Sequence, residues 1–275
     1  MLELMYITNN PEVAKIVDEA GVERVWIDLE TLGKEKRQKG YDTVKSHHCL
    51  NDIKVIKPLL KRAELQVRIN PINNKSKEEI ERVIEYGADI IMLPYYKTVD
   101  EVQLFSEFVS GRTKTVLLLE TREAHKCLDE TLMVPGIDEI HIGLNDLHLS
   151  YGRRFMFELL AEGMVESICK KISVAGKPYG FGGIAKLDGG LLPAKRIIAE
   201  HFRLGSTRAI LSRSFCNVDD CKDLFEVEEI FNVELKKLRD YELSLKEKDE
   251  MFFLNNHQEV VEVVAKIIDQ MSRKD

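Results

Sequence analysis

The chain has 275 residues, of which 44% are hydrophobic and 32% are charged, and its formal net charge at pH 7 is -7. This length is ample for a large core, and a single α/β barrel often takes all of it. The negative charge argues against general binding to nucleic acid, and no apolar run approaches the length of a membrane span. Residues 1–7 have neither a basic n-region nor a cleavage site, so we predict no signal peptide.

The cysteines are scattered along the chain. There are five of them, without a CxxC pair or a zinc-ligand spacing. Isolated thiols in an odd number are typical of a reducing compartment. We therefore expect a cytoplasmic protein with free, mostly buried cysteines.

In chain order, short apolar segments alternate with segments of helical spacing from the first residues to about Ser214. The first predicted helix stops at Gly21, a usual signal for a C-terminus. The predicted strands are 2–8, 24–30, 64–70, 88–94, 115–120, 139–146, 177–183 and 208–212. The predicted helices between them are 11–21, 78–87, 100–111, 158–175 and 193–200.

This alternation indicates βαβ units and a parallel sheet. Eight strands in this length favour a closed (β/α)8 TIM barrel over an open doubly wound sheet, and no GxGxxG follows the first strand. We assign residues 1–215 to the barrel. Residues 216–275 have a helical pattern and are too many for one eighth helix. We expect them to form a C-terminal helical extension, packed on the barrel or on a neighbouring subunit.

Two carboxylates stand at the ends of apolar strands, one βα unit apart. The run from Thr115 ends at Glu120, and the run from Glu139 ends at Asp146. Asp146 alone could be a helix N-cap, a core-edge residue satisfied by backbone donors, or a metal ligand. The second carboxylate favours the ligand interpretation, because hard divalent cations are held by such oxygen pairs together with water and substrate.

The carboxyl ends of barrel strands form the functional face of this fold. Polar side chains that the predicted strands place there are Glu30, Arg68, Asn70, Glu120, Asn145, Asp146 and Ser212. Their shared position is stronger evidence for a site than any one of them.

Four motifs follow one another on the predicted strands: Val67-Arg-Ile-Asn70, Ile91-Met-Leu-Pro94, Leu118-Leu-Glu-Thr121 and Ile142-Gly-Leu-Asn-Asp-Leu147. Together they resemble the HpcH/HpaI aldolase and citrate lyase family, within the phosphoenolpyruvate/pyruvate barrel superfamily, over about residues 5–215. The resemblance implies metal-dependent class II aldolase or lyase chemistry on a 2-oxo acid or an acyl thioester. It also implies homo-oligomers, commonly with the last helix exchanged between barrels.

Carried over residue by residue, the resemblance implies a divalent metal, Mg2+ or Mn2+, on Glu120 and Asp146. Arg68 matches the arginine that contacts the enolate oxygen. The loop whose backbone N–H groups receive the substrate carboxylate matches Leu144, Asn145 and Asp146. Such a cation and such a metal would stabilise the enolate left by cleavage of a carbon–carbon bond.

The sequence departs from the family pattern after the second strand. Aldolases of the family have Asp-Gly-Glu-His there, whereas this chain has Asp28-Leu-Glu-Thr31. The acid/base histidine is therefore replaced by Thr31, and Leu118 stands where aldolases usually have a polar residue. For Arg68 an alternative remains, a structural salt bridge to Glu30 or Glu120.

A base is still needed, and segment 33–48 should lie over the active face. His47 and His48 are candidates because imidazole titrates near neutrality; surface histidines without a role are the alternative, and we favour His48 for the base. The basic residues of this segment are either a solvated loop, which we favour, or a surface that attracts an acidic substrate. They are Lys34, Lys36, Arg37 and Lys39.

The sequence leaves the role of three glycines open and indicates a structural role for three histidines. Gly180, Gly182 and Gly183 either admit a ligand phosphate or relieve crowding at a tight turn. Three histidines show no ligand spacing, and we interpret them as structural: His125, His141 and His201.

We therefore predict a cytoplasmic aldehyde-lyase or oxo-acid-lyase of the EC 4.1 type that acts on a small acidic 2-oxo or hydroxy acid through an enolate. The predicted catalytic residues are Arg68, His48 and Glu30, the substrate-binding residues are Leu144, Asn145, Asp146 and Ser212, and the metal ligands are Glu120 and Asp146. Expected partners are the small acid and further copies of the chain, with no nucleic acid and no membrane. Two alternatives remain: a citrate-lyase-like enzyme acting on an acyl-CoA thioester, and a non-catalytic barrel that keeps the metal and anion site.

Overall fold

The structure is a computed structural model that describes residues 1–33 and 48–273. Eight strands close into a barrel in chain order, which confirms the predicted (β/α)8 TIM barrel. The strands are β1 Glu3–Ile7, β2 Arg24–Asp28, β3 Glu64–Arg68, β4 Ile90–Leu93, β5 Lys114–Leu119, β6 Glu139–Ile142, β7 Tyr179–Ile184 and β8 Arg208–Leu211.

Helices alternate with these strands and then continue beyond the last one. In the described residues they are α1 Pro11–Ala20, α2 Leu50–Ile56, α3 Ser76–Glu85, α4 Val99–Val109, α5 Arg122–Lys126, α6 Leu128–Leu132, α7 Leu144–Ser150, α8 Glu158–Ala161, α9 Met164–Val174, α10 Ala194–Arg203, α11 Leu224–Leu245 and α12 Glu250–Ser272. None of these helices is long and apolar enough to cross a bilayer.

Local capping explains where the first helix begins and ends. The side chain of Asn10 accepts the N–H groups of Glu12 and Val13, and Pro11 stands at the first helical position. Gly21 ends the helix in the left-handed region, at φ +93°. The sequence predicted this helix correctly because both of its ends carry strong local signals.

Two predicted elements are each divided differently in the structure. The predicted helix 158–175 is two helices, since Gly163 between α8 and α9 has φ +79° and interrupts the helical backbone. The predicted strand 139–146 ends at Ile142, and Asn145 and Asp146 lie in the first turn of α7. The apolar run therefore spans the end of a strand and the start of a helix.

The chain divides into two compact units, Met5–Ile140 and Met1–Leu4 with His141–Asp275. The predicted boundary between residues 215 and 216 stays a prediction.

In the first unit β2 and β3 pair in parallel, with Asp28 opposite Arg68 at the carboxyl end of the ladder. This register decides which polar side chains meet at the end of the two strands.

In the second unit the C-terminal helices are joined to α10 by buried polar contacts. Asn256 of α12 donates to Glu200 Oε1 at 3.1 Å, and Nδ1 of His257 lies 2.9 Å from Glu200 Oε2. Arg203 also donates to Glu200 Oε2, from Nε at 3.0 Å. Glu200 is fully buried, so these contacts attach α12 firmly to the helix before β8.

Candidate active site

The strongest ion pair of the site lies where β2 and β3 end. Asp28 and Arg68 are register partners, and directly opposite residues of neighbouring strands place their side chains on the same face. Arg68 donates from Nε to Asp28 Oδ1 and from Nη2 to Asp28 Oδ2, both at 2.8 Å. A bidentate pair of this kind fixes the plane of the guanidinium as well as its position.

Two further carboxylates surround the Arg68 guanidinium. Glu30 Oε2 lies 3.5 Å from Arg68 Nε, and Glu30 and Glu120 are both buried. Burial by itself lowers the pKa of Arg68, but the charges of Asp28, Glu30 and Glu120 outweigh it and raise that pKa above its ordinary value. The site therefore holds a permanent cation among acids. The sequence suggested Glu30 or Glu120 as the structural partner of Arg68, whereas the closest partner of Arg68 in the structure is Asp28.

Part of Arg68 remains available to a ligand. Within residues 1–33 and 48–273, its Nη1 donates no hydrogen bond, and its side chain keeps 13% exposure. The guanidinium also lies 5.2 Å from the centre of the Trp26 ring, within cation–π range. Two N–H bonds of Nη1 can thus bind an oxygen ligand while Asp28 holds the rest of the group.

His48 lies at the edge of this cluster. The β1–β2 ladder runs as far as Ile7 opposite Trp26, with one more bond from Thr8 to Trp26. At the next position the N–H of Asp28 donates to Nδ1 of His48 at 2.9 Å. The structure thus brings His48 together with Asp28 and Arg68. The other candidate, His47, and the basic run 34–39 lie outside the described residues.

Asn70 holds the loop that follows β2. Its Oδ1 accepts the N–H groups of Thr31 at 2.9 Å and Leu32 at 3.0 Å, and its Nδ2 donates to Glu79 Oε1 at 2.8 Å. Asn70 is therefore occupied by structural contacts, as is Thr31, whose hydroxyl also lies 3.3 Å from Asn70 Oδ1. A cleft of about 340 Å³ borders these residues, and it is lined by Thr31, Leu32, Leu50, Asn70, Asn73, Lys75, Glu78, Glu79 and Arg82.

Glu120 is positioned by the loop after β4. Its Oε1 accepts the N–H of Tyr95 at 3.0 Å, and Tyr95 has a left-handed backbone, with φ +50°. Such a conformation is costly for a residue other than glycine and tends to occur at functional sites. The next residue, Tyr96, has a buried phenol that makes no hydrogen bond in the described residues, and burial raises its pKa. Sequence patterns did not identify either tyrosine.

The donors at the end of β5 suit a divalent cation. Glu120 is buried and offers carboxylate oxygens, the ligand type that Mg2+ and Mn2+ prefer. The described residues contain no group of three or more His, Cys, Asp or Glu side chains that could hold a metal ion. Two carboxylates completed by substrate and water need no such group. Asp146, the second predicted ligand, is half-buried in the first turn of α7.

In the second unit the first turn of α7 presents backbone donors. The first intrahelical bond is that of Leu147 N–H, which donates to Gly143 O at 3.1 Å. The N–H groups of Leu144, Asn145 and Asp146 precede it and lack an intrahelical acceptor. Three such donors at the start of a helix can receive an anion such as a carboxylate.

Crowding accounts for two of the three glycines of β7. A Cβ on Gly180 would lie 2.3 Å from Arg208 O, and a Cβ on Gly182 would lie 3.0 Å from Leu144 Cδ1. A Cβ on Gly183 would lie 3.4 Å from the Cβ of Ser212. Ser212 follows β8, and its N–H donates to Ile184 O at 2.9 Å. Close contacts therefore account for Gly180 and Gly182, whereas the distance at Gly183 is an ordinary van der Waals contact.

The remaining histidines have identifiable surroundings. His201 stacks on Phe181 with ring centres 3.8 Å apart, and its Nδ1 lies 2.7 Å from Ser206 Oγ. Burial, together with His141, lowers the pKa of His201 to about 3, so its ring is neutral at ordinary pH. His125 lies on α5. We keep the structural interpretation of these residues.

Comparison with known proteins decides the family. The family model of HpcH/HpaI aldolase/citrate lyase matches residues 3–189. The chain belongs to this family. Membership places the HpcH/HpaI chain among lyase-type enzymes, the aldolases and citrate lyases. A search of the curated proteins gave no match.

Solved structures share the fold of this HpcH/HpaI chain at low sequence identity. An HpcH/HpaI aldolase from Desulfitobacterium hafniense DCB-2 has 16% identity and a TM-score of 0.57, with 77% of this chain and 86% of that chain covered. An HpcH/HpaI aldolase/citrate lyase family protein from Burkholderia cenocepacia J2315 has 14% identity and a TM-score of 0.62, with 82% and 94% covered. The citrate synthase SbnG has 15% identity and a TM-score of 0.58, with 86% and 92% covered.

Proposed function

We propose that this HpcH/HpaI-family protein is a divalent-metal-dependent carbon–carbon lyase of the class II aldolase type. Its substrate would be a small acidic 2-oxo or hydroxy acid, cleaved or formed through an enolate. The observation that carries the proposal is the buried guanidinium of Arg68, which Asp28 holds in place while Nη1 keeps its hydrogens for a ligand. A fixed cation in a water-poor pocket stabilises an enolate oxygen strongly, because it need not reorganise as the charge develops.

Glu120 and Asp146 would hold the metal ion, Mg2+ or Mn2+. A divalent ion at this position supplies Lewis-acid polarisation of the carbonyl and carboxylate oxygens of the substrate. Glu30 would keep Arg68 charged and oriented together with Asp28. The N–H groups of Leu144, Asn145 and Asp146 would receive the substrate carboxylate, and the Ser212 hydroxyl would bind substrate beyond β8.

We also propose a cytoplasmic location and a homo-oligomer. The first is supported by the cysteines, since none of the five forms a disulfide in the described residues and thiols outside disulfides are typical of reducing compartments. The second is supported by the exposed apolar side chains of α12, which include Met251 and Leu254. Neither a membrane nor a nucleic acid is among the proposed partners.

The first test follows thermal stability during titration with pyruvate, with Mg2+ or Mn2+ and then with chelator. A ligand that binds only the native state raises stability by mass action, about 2.7 kcal/mol at a hundredfold excess over its dissociation constant. We expect stabilisation by pyruvate only when metal is present. No shift under any of these conditions would contradict a pyruvate-type site.

Two conservative variants connect this effect to the site. Glu120→Gln keeps an acceptor for the Tyr95 N–H but removes the negative charge. Asp146→Asn likewise removes the negative charge of a side chain in α7. Both should abolish the metal-dependent shift while leaving the unliganded protein folded. Glu259→Gln on the exposed side of α12 is the matched control, and it should retain the full shift.

A non-catalytic barrel is the second candidate, because of Thr31. This residue replaces the family histidine, and its N–H and hydroxyl are both directed to Asn70. Such a protein would bind pyruvate together with the metal, but it would not catalyse exchange of the methyl protons of pyruvate with solvent. Proton NMR in deuterium oxide separates the two candidates, since enolisation replaces methyl hydrogen by deuterium. An acyl-CoA lyase would instead respond to the thioester in the thermal titration.

A further inference from the structure

Within residues 1–33 and 48–273, two residues other than glycine have a left-handed backbone. They are Tyr95, at φ +50°, and Ser110, at φ +53°. This region is unfavourable for a residue that has a Cβ, and such a residue stays there only where its surroundings hold it. Each of the two therefore needs a local cause.

Helix capping is the cause at Ser110. This residue directly follows the last residue of α4, and its N–H donates to Ser106 O at 2.8 Å. A left-handed residue at this position is a common way to end a helix. The conformation of Ser110 thus depends on the backbone of its own helix.

Tyr95 lies between elements and does not cap a helix, since β4 ends at Leu93 and α4 begins at Val99. The N–H of Tyr95 donates instead to Glu120 Oε1 at 3.0 Å. The Glu120 side chain is buried, so this hydrogen bond to a carboxylate is shielded from water, and bonds to charged groups are the stronger ones. The cause at Tyr95 is therefore a contact with another strand end.

A second contact joins the same two segments. Thr121 Oγ1 donates to Tyr96 O at 2.8 Å, and it accepts the N–H of Ala124 at 3.0 Å where α5 begins. Tyr95 lies between the peptide group that bonds Glu120 and the carbonyl that bonds Thr121. Its backbone angles help to set the angle between these two groups, so the left-handed conformation lets both contacts form together.

The tyrosine side chain has a lesser part in this arrangement. Glycine adopts a left-handed backbone without steric cost, and its N–H would reach Glu120 equally well. The ring of Tyr95 has the exposed Lys97 near it, with Nζ 5.1 Å from the ring centre, and a cation–π contact at an exposed site is weak. The backbone of Tyr95, rather than its ring, bonds the carboxylate.

Resting on the proposed function, we propose that Tyr95 is a positioning residue for the metal ligand Glu120. Its backbone N–H, held in place by the left-handed conformation, keeps the carboxylate in the orientation that binds Mg2+ or Mn2+. Hydrogen-bond partners of a ligating carboxylate orient it, and their loss typically weakens metal binding about 10–100-fold. Tyr95 acts through Glu120 and needs no contact with the metal or the substrate.

The test measures the affinity of the full chain for Mn2+ by electron paramagnetic resonance, without substrate and without turnover. Tyr95→Gly keeps the N–H and tolerates the backbone, so its affinity should stay within about threefold of the wild type. Tyr95→Val should bind Mn2+ at least about tenfold more weakly, because a β-branched residue is a strong outlier at positive φ and displaces the N–H. Tyr95→Ala should show a smaller loss, and it replaces Tyr95→Val if that variant does not fold.

Ser110→Val is the matched control, since Ser110 has nearly the same φ but caps α4. It should lose thermal stability as Tyr95→Val does and yet bind Mn2+ with wild-type affinity. An equal loss of affinity in Ser110→Val would show a general effect of destabilisation and overturn the proposal. A loss in Tyr95→Gly as large as that in Tyr95→Val would also overturn it, because the ring would then matter rather than the backbone.

Glu120→Gln separates this role from the proposed function. If the wild-type protein does not bind Mn2+, or if Glu120→Gln binds it equally well, the proposed metal site has failed. If Glu120→Gln abolishes binding while Tyr95→Val and Tyr95→Ala keep the wild-type affinity, the role of Tyr95 alone is wrong.

Discussion

At the scale of single atoms, Arg68 combines a structural contact with a proposed catalytic role. Its Nε and Nη2 neutralise Asp28, which is 2% exposed. A carboxylate buried this deeply without its partner is strongly destabilising, by about 3–5 kcal/mol for a broken buried pair. Nη1, by contrast, makes no bond within residues 1–33 and 48–273 and is available to a ligand. Substitution of Arg68 alone would therefore combine a folding defect with the loss of its proposed catalytic role.

A double substitution separates the two parts. We expect Arg68→Met to lower thermal stability sharply, since Asp28 loses its counter-charge. Arg68→Met combined with Asp28→Asn should recover part of that stability, because the charge of Asp28 is removed together with its partner while the buried Glu30 keeps its own charge. Exchange of pyruvate protons should stay at least about a hundredfold below the wild-type rate in the double variant. Recovery of exchange together with stability would show that Arg68 is only structural.

At the scale of elements, α12 is attached to α10 by one buried carboxylate. Burial alone raises the pKa of Glu200, but hydrogen bonds from His257 and Arg203 outweigh it and lower the pKa below the ordinary value of 4.5. The stabilisation that this carboxylate contributes is therefore complete above pH 4.5 and declines as the pH falls through the lowered pKa. The attachment should weaken in acid.

We expect Glu200→Gln to lower the free energy of unfolding by about 3 kcal/mol at pH 7, since Arg203 loses a buried partner. Urea denaturation followed by circular dichroism measures the change. The variant should also lose less stability than the wild type between pH 5 and pH 3. Glu259→Gln on α12 breaks an exposed pair with Arg196 of α10 and should cost less than about 1 kcal/mol. Equal losses in the two variants would contradict the buried attachment.

At the scale of the whole molecule, α12 exposes an apolar stripe. Met251, Leu254 and Val261 are 59%, 49% and 38% exposed, and their spacing places them along one side of the helix. Apolar side chains grouped on one helical face are typical of an interface with another chain. This stripe supports the proposed homo-oligomer.

Sedimentation velocity tests the oligomer. We expect the wild-type protein to sediment as an oligomer, and the double variant Met251→Glu with Leu254→Glu to sediment as a monomer, because two carboxylates cannot be buried unpaired at an interface. Val174→Glu is the matched control, since Val174 is 91% exposed at the end of α9. A monomeric wild-type protein at all concentrations would contradict the interface.

The sequence by itself determined the class of the fold, because alternation of apolar strands with helical segments is a local pattern that repeats along the chain. It also predicted the polar ends of the strands, since Glu30, Arg68 and Glu120 directly follow or end apolar runs. It was less successful where an apolar run continues from a strand into a helix, as at Asn145 and Asp146, because apolar content alone does not distinguish the two.

Only the tertiary structure decided the partners within the site. That Asp28 faces Arg68 depends on the register of β2 and β3, and no local signal sets the register between strands separated by tens of residues. The same holds for His48, which reaches the N–H of Asp28 because the β1 ladder stops short of it. Residue types at the site are a property of the sequence, whereas their hydrogen-bonding roles depend on long-range packing.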